Sequence, residues 1–157
     1  MNIWIVIAGE PLPIDSKDSR FLRSINLAKA LETKGHSVTV ISSLFDHSSK
    51  EFRKEGLNGT IFEGITYYLI KGCGYKKNIS LRRLLDQKII GFRFGKLIKT
   101  LDRPDIIISG YPMLELCSES IKYGLKYNVP VLIDIRDIWP ETIFKAYKRI
   151  SFLLRII

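Results

Sequence analysis

The stretch from Ile3 to Ser42 constrains the fold more than any other part of the chain. It opens with a short apolar run, Ile3 to Ala8, closed by Gly9, Pro11 and Pro13. From Ser19 to Thr33 the apolar residues Phe21, Leu22, Ile25, Leu27, Ala28 and Leu31 recur at helical spacing, and Gly35 supplies a stop. Ser37 to Ser42, SVTVIS, is β-branched and apolar enough for a second strand. Strand, helix, strand in so short a length is a βαβ unit, which argues for a parallel sheet.

The alternation continues. TIFEGITYYLI (60–70) alternates around Gly64, which predicts two short strands or one bulged strand. After the loop KGCGYKKN, Ser80 caps a long helix with Leu81, Leu84, Leu85, Ile89, Phe92 and Leu97 as its apolar stripe, and Arg103-Pro104 ends it. Asp105 to Ser109 reads as a buried strand. Gly110-Tyr111-Pro112 turns the chain, with Pro112 suited to the first turn of a helix at about 113–127. A strand at 131–135 follows, and Trp139-Pro140 opens a last helix. The expectation is one doubly wound α/β domain, Rossmann-like, over residues 1–157. A length of 157 residues suits a single domain, and 46% apolar residues suit a packed core. The closing SFLLRII has no cap and no polar tail, so the chain reads as truncated.

Several chemistries are not spelled. Cys73 and Cys117 stand far apart with no metal-ligand spacing, which predicts reduced thiols and no metal. His36 and His47 have no ligand partners nearby, and His36, just before a strand, reads as structural. Patterns of the GxGxxG, GxSxG and Walker types are missing. The N-terminal apolar run has no basic region before it and is far shorter than a membrane span.

Charge is uneven. Of a formal net +9, residues 71–103 hold ten Lys and Arg against Asp86 and Asp102 alone. Such a patch attracts phosphates, on a substrate or on an anionic bilayer. Nucleic acid is not an expected partner, because the positive charge is not interleaved with exposed aromatics and no nucleic-acid motif occurs.

In open parallel sheets ligands gather beyond the carboxyl ends of the strands. Three such ends carry chemistry here: Gly9 after the first strand, SLFDH (43–47) after the second, and LIDIRDIWPET (132–142), where Asp134, Arg136 and Asp137 crowd the end of the last strand.

Five phrases, in order, carry a resemblance: LAKALETKGHSVTVIS, SLFDH, GYKKNISLRRLLDQ, PDIIISGYP and DIRDIWPE. Together they resemble the N-terminal half of family 4 glycosyltransferases of the GT-B architecture, in the group that builds O-antigen, capsule and related bacterial surface polysaccharides. The resemblance implies a retaining sugar transfer without a metal, from a nucleotide-sugar to a lipid-linked glycan, with a polyprenyl-diphosphate-linked acceptor. It implies that this chain is the acceptor-side half, inactive alone, and that the donor-binding C-terminal domain is absent. It also implies a cytoplasmic enzyme, peripheral on the inner face of the membrane; the basic helix either turns a plain solvated face outward or docks on anionic lipid. Carried over residue by residue, it marks Asp137 as catalytic. Gly9, Asp46, His47, Tyr75, Lys76, Asn78, Asp134 and Arg136 become substrate-binding. The alternative is a stand-alone, non-catalytic module that binds a glycan or a protein partner.

Overall fold

The computed structural model describes residues 1–15, 22–54 and 58–135. Eight strands and three helices follow one another there: β1 (Asn2–Val6), α1 (Arg23–Thr33), β2 (Ser37–Ser43), β3 (Phe45–Asp46), β4 (Glu51–Phe52), β5 (Thr60–Phe62), β6 (Ile65–Ile70), α2 (Leu81–Leu97), β7 (Ile106–Gly110), α3 (Leu114–Tyr127) and β8 (Val131–Asp134). Six of the strands form one sheet in the order β5-β6-β2-β1-β7-β8. Every pairing in it is parallel except β5 with β6. This is the mixed α/β, Rossmann-like arrangement that the opening βαβ unit implies.

β1 shows why both faces must be covered. Ile3 and Ile5 belong to one buried cluster with Ile25 and Ala28 of α1, while Trp4 and Val6 belong to another with Ile90 and Phe94 of α2 and Leu116 of α3. A strand with apolar side chains on both faces is stable only between two helical layers. The sheet is therefore wound on both sides, with α1 on one and α2 and α3 on the other.

Local signals placed most boundaries. Gly35, at φ +81°, ends α1, its N–H donating to the Glu32 carbonyl at 2.8 Å. The α1 helix runs from Arg23, while the Ser19 to Phe21 part of the expected helix lies outside the described residues; Leu22 and Leu27 face outward and Ile25 and Ala28 are buried. Ser80 caps α2 as expected, its hydroxyl accepting the Arg83 N–H at 3.2 Å. The 60–70 stretch resolves into the β5–β6 hairpin through Glu63 and Gly64, both at positive φ, as a tight two-residue turn demands. Pro112 lies one residue before the N-cap of α3, Met113, rather than in its first turn.

One expectation is overturned. Of the stripe Leu81, Leu84, Leu85, Ile89, Phe92 and Leu97, only Leu97 packs against the core and Ile89 is half-buried; Leu81 is 84% exposed, Phe92 65%, and Leu84 and Leu85 are exposed too. The inward row is Asp86, Ile90 and Phe94, continued by Ile98, at a spacing of four residues. Both faces of α2 are apolar, and two local contacts choose between them. Gly91 lets Glu115 of α3 come so near that a Cβ would stand 2.6 Å from the Glu115 Cβ. Asp86 must also reach the loop before the helix, where it accepts the Cys73 and Gly74 N–H groups at 2.7 and 2.8 Å.

Candidate functional site

β1, β2 and β7 all end on one side of the sheet, and a cavity of about 210 Å3 opens there. Its wall takes Ala8 and Gly9 from beyond β1, Ser43, Phe45 and His47 from the end of β2 onward, and Pro112 and Met113 from before α3. Tyr75, Arg83, Asp86, Gln87 and Ile90 complete it from the loop and inner face of α2. Gly9 has φ +82°, a left-handed turn that glycine makes without strain.

The polar centre of this wall joins two segments far apart in the chain. His47 Nδ1 lies 2.6 Å from the Tyr75 hydroxyl and 3.2 Å from Lys50 Nζ. Lys50 Nζ also donates to the His47 carbonyl at 2.6 Å and to Asn78 Oδ1 at 2.7 Å. Arg83 donates to the Asn78 carbonyl at 2.7 Å and lies over the Tyr75 ring, 5.6 Å from its centroid. Burial, then the charges of Lys50 and Arg83, hold the His47 imidazole below its ordinary value, against a smaller pull from Asp46. Burial raises the Tyr75 phenol, with Arg83 opposing.

Arg53 fixes the backbone under this cluster. Its guanidinium side chain is 4% exposed, and all five N–H donors are used. Nε and one Nη hold the two oxygens of Asp15 at 2.5 and 2.8 Å; the remaining donors reach the carbonyls of Ser43 (2.8 Å), Phe45 (3.3 Å) and Glu10 (3.1 Å). The loop after β1 and the turn after β2 are thus tied through one cation.

The residues singled out from sequence divide into groups. Gly9, His47 and Tyr75 line the cavity together. Lys76 lies on the rim of a neighbouring hollow of about 430 Å3, floored by Phe45, Phe52 and Tyr75 and edged by Lys50, Lys77 and Arg82. Asn78 reaches the first cavity only through Lys50 and Arg83. Asp46 lies off the wall. Burial works to raise its carboxyl, but hydrogen bonds from Ser48 and Ser49 and the Arg53 charge prevail and hold it below the ordinary range. Its work is to shape the turn that presents His47. Asp134 ends β8 and pairs with Arg23 at 3.4 Å, and it lines neither cavity. Arg136 and Asp137 lie outside the described residues.

Sequence reasoning missed Arg83, Asp86 and Lys50. Arg83 is one of ten basic residues in its stretch, so nothing set it apart. Asp86 did leave a signal, as one of only two acids there. Among the described residues no group of three or more His, Cys, Asp or Glu side chains is placed to hold a metal ion. None of their helices is long and apolar enough to cross a membrane.

No known protein-family profile matches the chain, and no curated protein matches it at a significant level. Among solved structures, the C-terminal domain (residues 78–226) of a hydrogenase from Pyrococcus furiosus is similar, with a TM-score of 0.51 and 17% identity over 85% of this chain and 90% of that one. A second structure of that domain (residues 83–215) gives the same values. A likeness at this identity shows the α/β fold and carries no function with it.

Proposed function

We propose that the chain is the acceptor-side domain of a retaining GT-B glycosyltransferase that moves a sugar from a nucleotide-sugar to a lipid-diphosphate-linked glycan for a bacterial surface polysaccharide. One observation carries this reading. Two of the phrases that resemble the family, SLFDH and GYKKN, meet at the carboxyl end of the sheet, His47 to Tyr75 at 2.6 Å, on the wall of a cavity. Separate segments that converge at the ligand-binding end of an open α/β sheet are what a substrate site needs. A departing diphosphate asks for fixed cations and N–H donors, and Arg83 and the Gly9 loop stand on this wall. Asp137 keeps the catalytic assignment on sequence grounds alone.

The outer face of α2 favours a membrane-bound acceptor. Leu81, Leu85 and Phe92 project there among Lys88 and Lys96, with Lys99 just past the helix end, the pairing of apolar anchor and cationic flank that suits an anionic bilayer surface. On this reading the protein works on the inner face of the cytoplasmic membrane.

The decisive experiment expresses the complete reading frame and offers it a panel of nucleotide-sugars with a polyprenyl-diphosphate-linked acceptor. Transfer is expected, and Asp137→Asn is expected to reduce it while the fold persists. Absence of transfer from every donor rejects the reading; unchanged turnover in Asp137→Asn removes that residue from the site. Sedimentation with anionic vesicles at low salt tests the docking surface, and protein left in the supernatant rejects it.

A further inference from the structure

Lys50 looks at first like one more cation for a phosphate. Its ammonium has three protons, however, and three acceptors stand around it: the His47 carbonyl, Asn78 Oδ1 and His47 Nδ1, at 2.6, 2.7 and 3.2 Å. An ammonium only donates, so the ring nitrogen facing it must offer a lone pair. That lone pair is single, so the Tyr75 hydroxyl, 2.6 Å from the same nitrogen, donates to it and shares it with the more distant Lys50. A neutral imidazole whose Nδ1 accepts carries its proton on Nε2. The Nδ1 edge is occupied by Lys50 and Tyr75. His47 nonetheless lines the cavity, so its Nε2–H is the polar group it has left for an occupant.

We propose that Lys50 is a positioning residue that holds His47 with Nδ1 as acceptor and Nε2–H as donor, so that His47 and Arg83 form the cavity's subsite for a diphosphate-bearing ligand. The proposal rests on reading the cavity as a substrate site, and it gives His47 a role opposite to that of a general base. The ionisable groups around the ring are Asp46 in its own turn, Lys50, Tyr75, and Arg83 and Asp86 of α2. Two of these are cations close enough to oppose a charged imidazolium, in agreement with the direction in which the ring is shifted. Arg83 keeps several guanidinium N–H groups beyond the one given to the Asn78 carbonyl, so the cation facing the occupant is Arg83 and not Lys50.

Long-range 1H–15N NMR of the chain at neutral pH tests this directly. The expected pattern for His47 is a protonated Nε2, a bare Nδ1 and a titration midpoint below 6.5. In Lys50→Met the midpoint is expected to move up. Inorganic pyrophosphate is expected to shift the His47 Nε2–H and Arg83 Nε–H signals, with binding about tenfold weaker in Arg83→Gln, the loss of one charge-assisted hydrogen bond. A nucleoside diphosphate and a short prenyl diphosphate, run in parallel, assign the source of the diphosphate by which binds more tightly. A protonated Nδ1 in the wild type, an unmoved midpoint in Lys50→Met, or no shift with any diphosphate overturns the proposal. If Lys50→Met fails to fold, as amide dispersion would report, the wild-type tautomer still decides. None of these signals depends on sugar transfer. Shifts without transfer reject the enzymatic reading alone, and transfer without shifts rejects this one alone.

Discussion

Replacing Arg53 by Met removes a side chain that joins the loop after β1 to the turn after β2. The methionine fills most of the aliphatic stem, so the change isolates the guanidinium. Five hydrogen bonds go at once, two to the Asp15 carboxylate and three to main-chain carbonyls of Glu10, Ser43 and Phe45. Asp15 is 18% exposed at its side chain and regains some water, whereas the carbonyls beneath a 4% exposed guanidinium do not. Breaking a buried, hydrogen-bonded pair from one side costs about 3–5 kcal/mol. For a chain of this size that is roughly 6–20 °C in Tm, at about 2–4 °C per kcal/mol. Urea denaturation followed by far-ultraviolet circular dichroism is expected to show a lower midpoint with an unchanged slope. Arg53→Lys keeps the charge but offers three donors in place of a planar fork, and is expected to recover only part of the loss. A change below about 1 kcal/mol in Arg53→Met, or wild-type stability in Arg53→Lys, refutes the assignment of Arg53 as the tie between these loops.

Three further tests follow from single contacts. Gly91→Ala sets a Cβ 2.6 Å from the Glu115 Cβ and forces α2 from α3, so a net loss of about 1–2 kcal/mol is expected after the ~1 kcal/mol helix-propensity gain; Gly95→Ala meets the far end of the Glu119 side chain, which can turn aside, and is expected to stabilise by up to ~1 kcal/mol, both read by thermal melting. The Tyr67 hydroxyl is buried with no hydrogen-bond partner among the described residues, so Tyr67→Phe is expected to be neutral or stabilising by about 1 kcal/mol in urea. Burial, then Glu63, pushes the Tyr67 phenol up to about 12, so the unfolded chain loses its proton first as pH rises and stability falls between pH 10 and about 12, a fall that Tyr67→Phe should lessen. Asp86→Ala leaves the Cys73 and Gly74 N–H groups without their acceptor, and is expected to destabilise by about 2–3 kcal/mol and to broaden the Tyr75 ring signals in NMR.

Where the information is local, the sequence could be read. The SVTVIS strand, the Gly35 stop and the Ser80 cap each depend on neighbours a few residues away, and each lies where its residues predict. The face of α2 could not be read this way, because Leu81-Leu85-Phe92 and Ile90-Phe94-Ile98 are both apolar rows at helical spacing. Only the contacts of Gly91 with α3 and of Asp86 with the 73–74 backbone separate them. The β3–β4 pair spans two residues on each side, too few to show a period. Of the site, Gly9 and His47 were legible because strand ends in a parallel sheet are privileged positions. The meeting of His47 with Tyr75, 28 residues on, and of Arg53 with Asp15, 38 residues back, was not, since long-range pairing leaves no periodic trace. Asp46 drew notice for its charge, yet that charge is spent on its own turn.

The double character of α2 has a consequence for distance. Arg83, Asp86, Gln87 and Ile90 of this helix form a wall of the cavity, and Leu81, Leu85 and Phe92 form its outer surface. One helix, roughly 10 Å across with its side chains, is all that separates an occupant from whatever rests outside. If that outer surface docks on a bilayer as proposed, a ligand with a polar head and a greasy tail keeps its head at Arg83 while its tail stays in the lipid, and the thickness of a single helix sets how far such a substrate must climb.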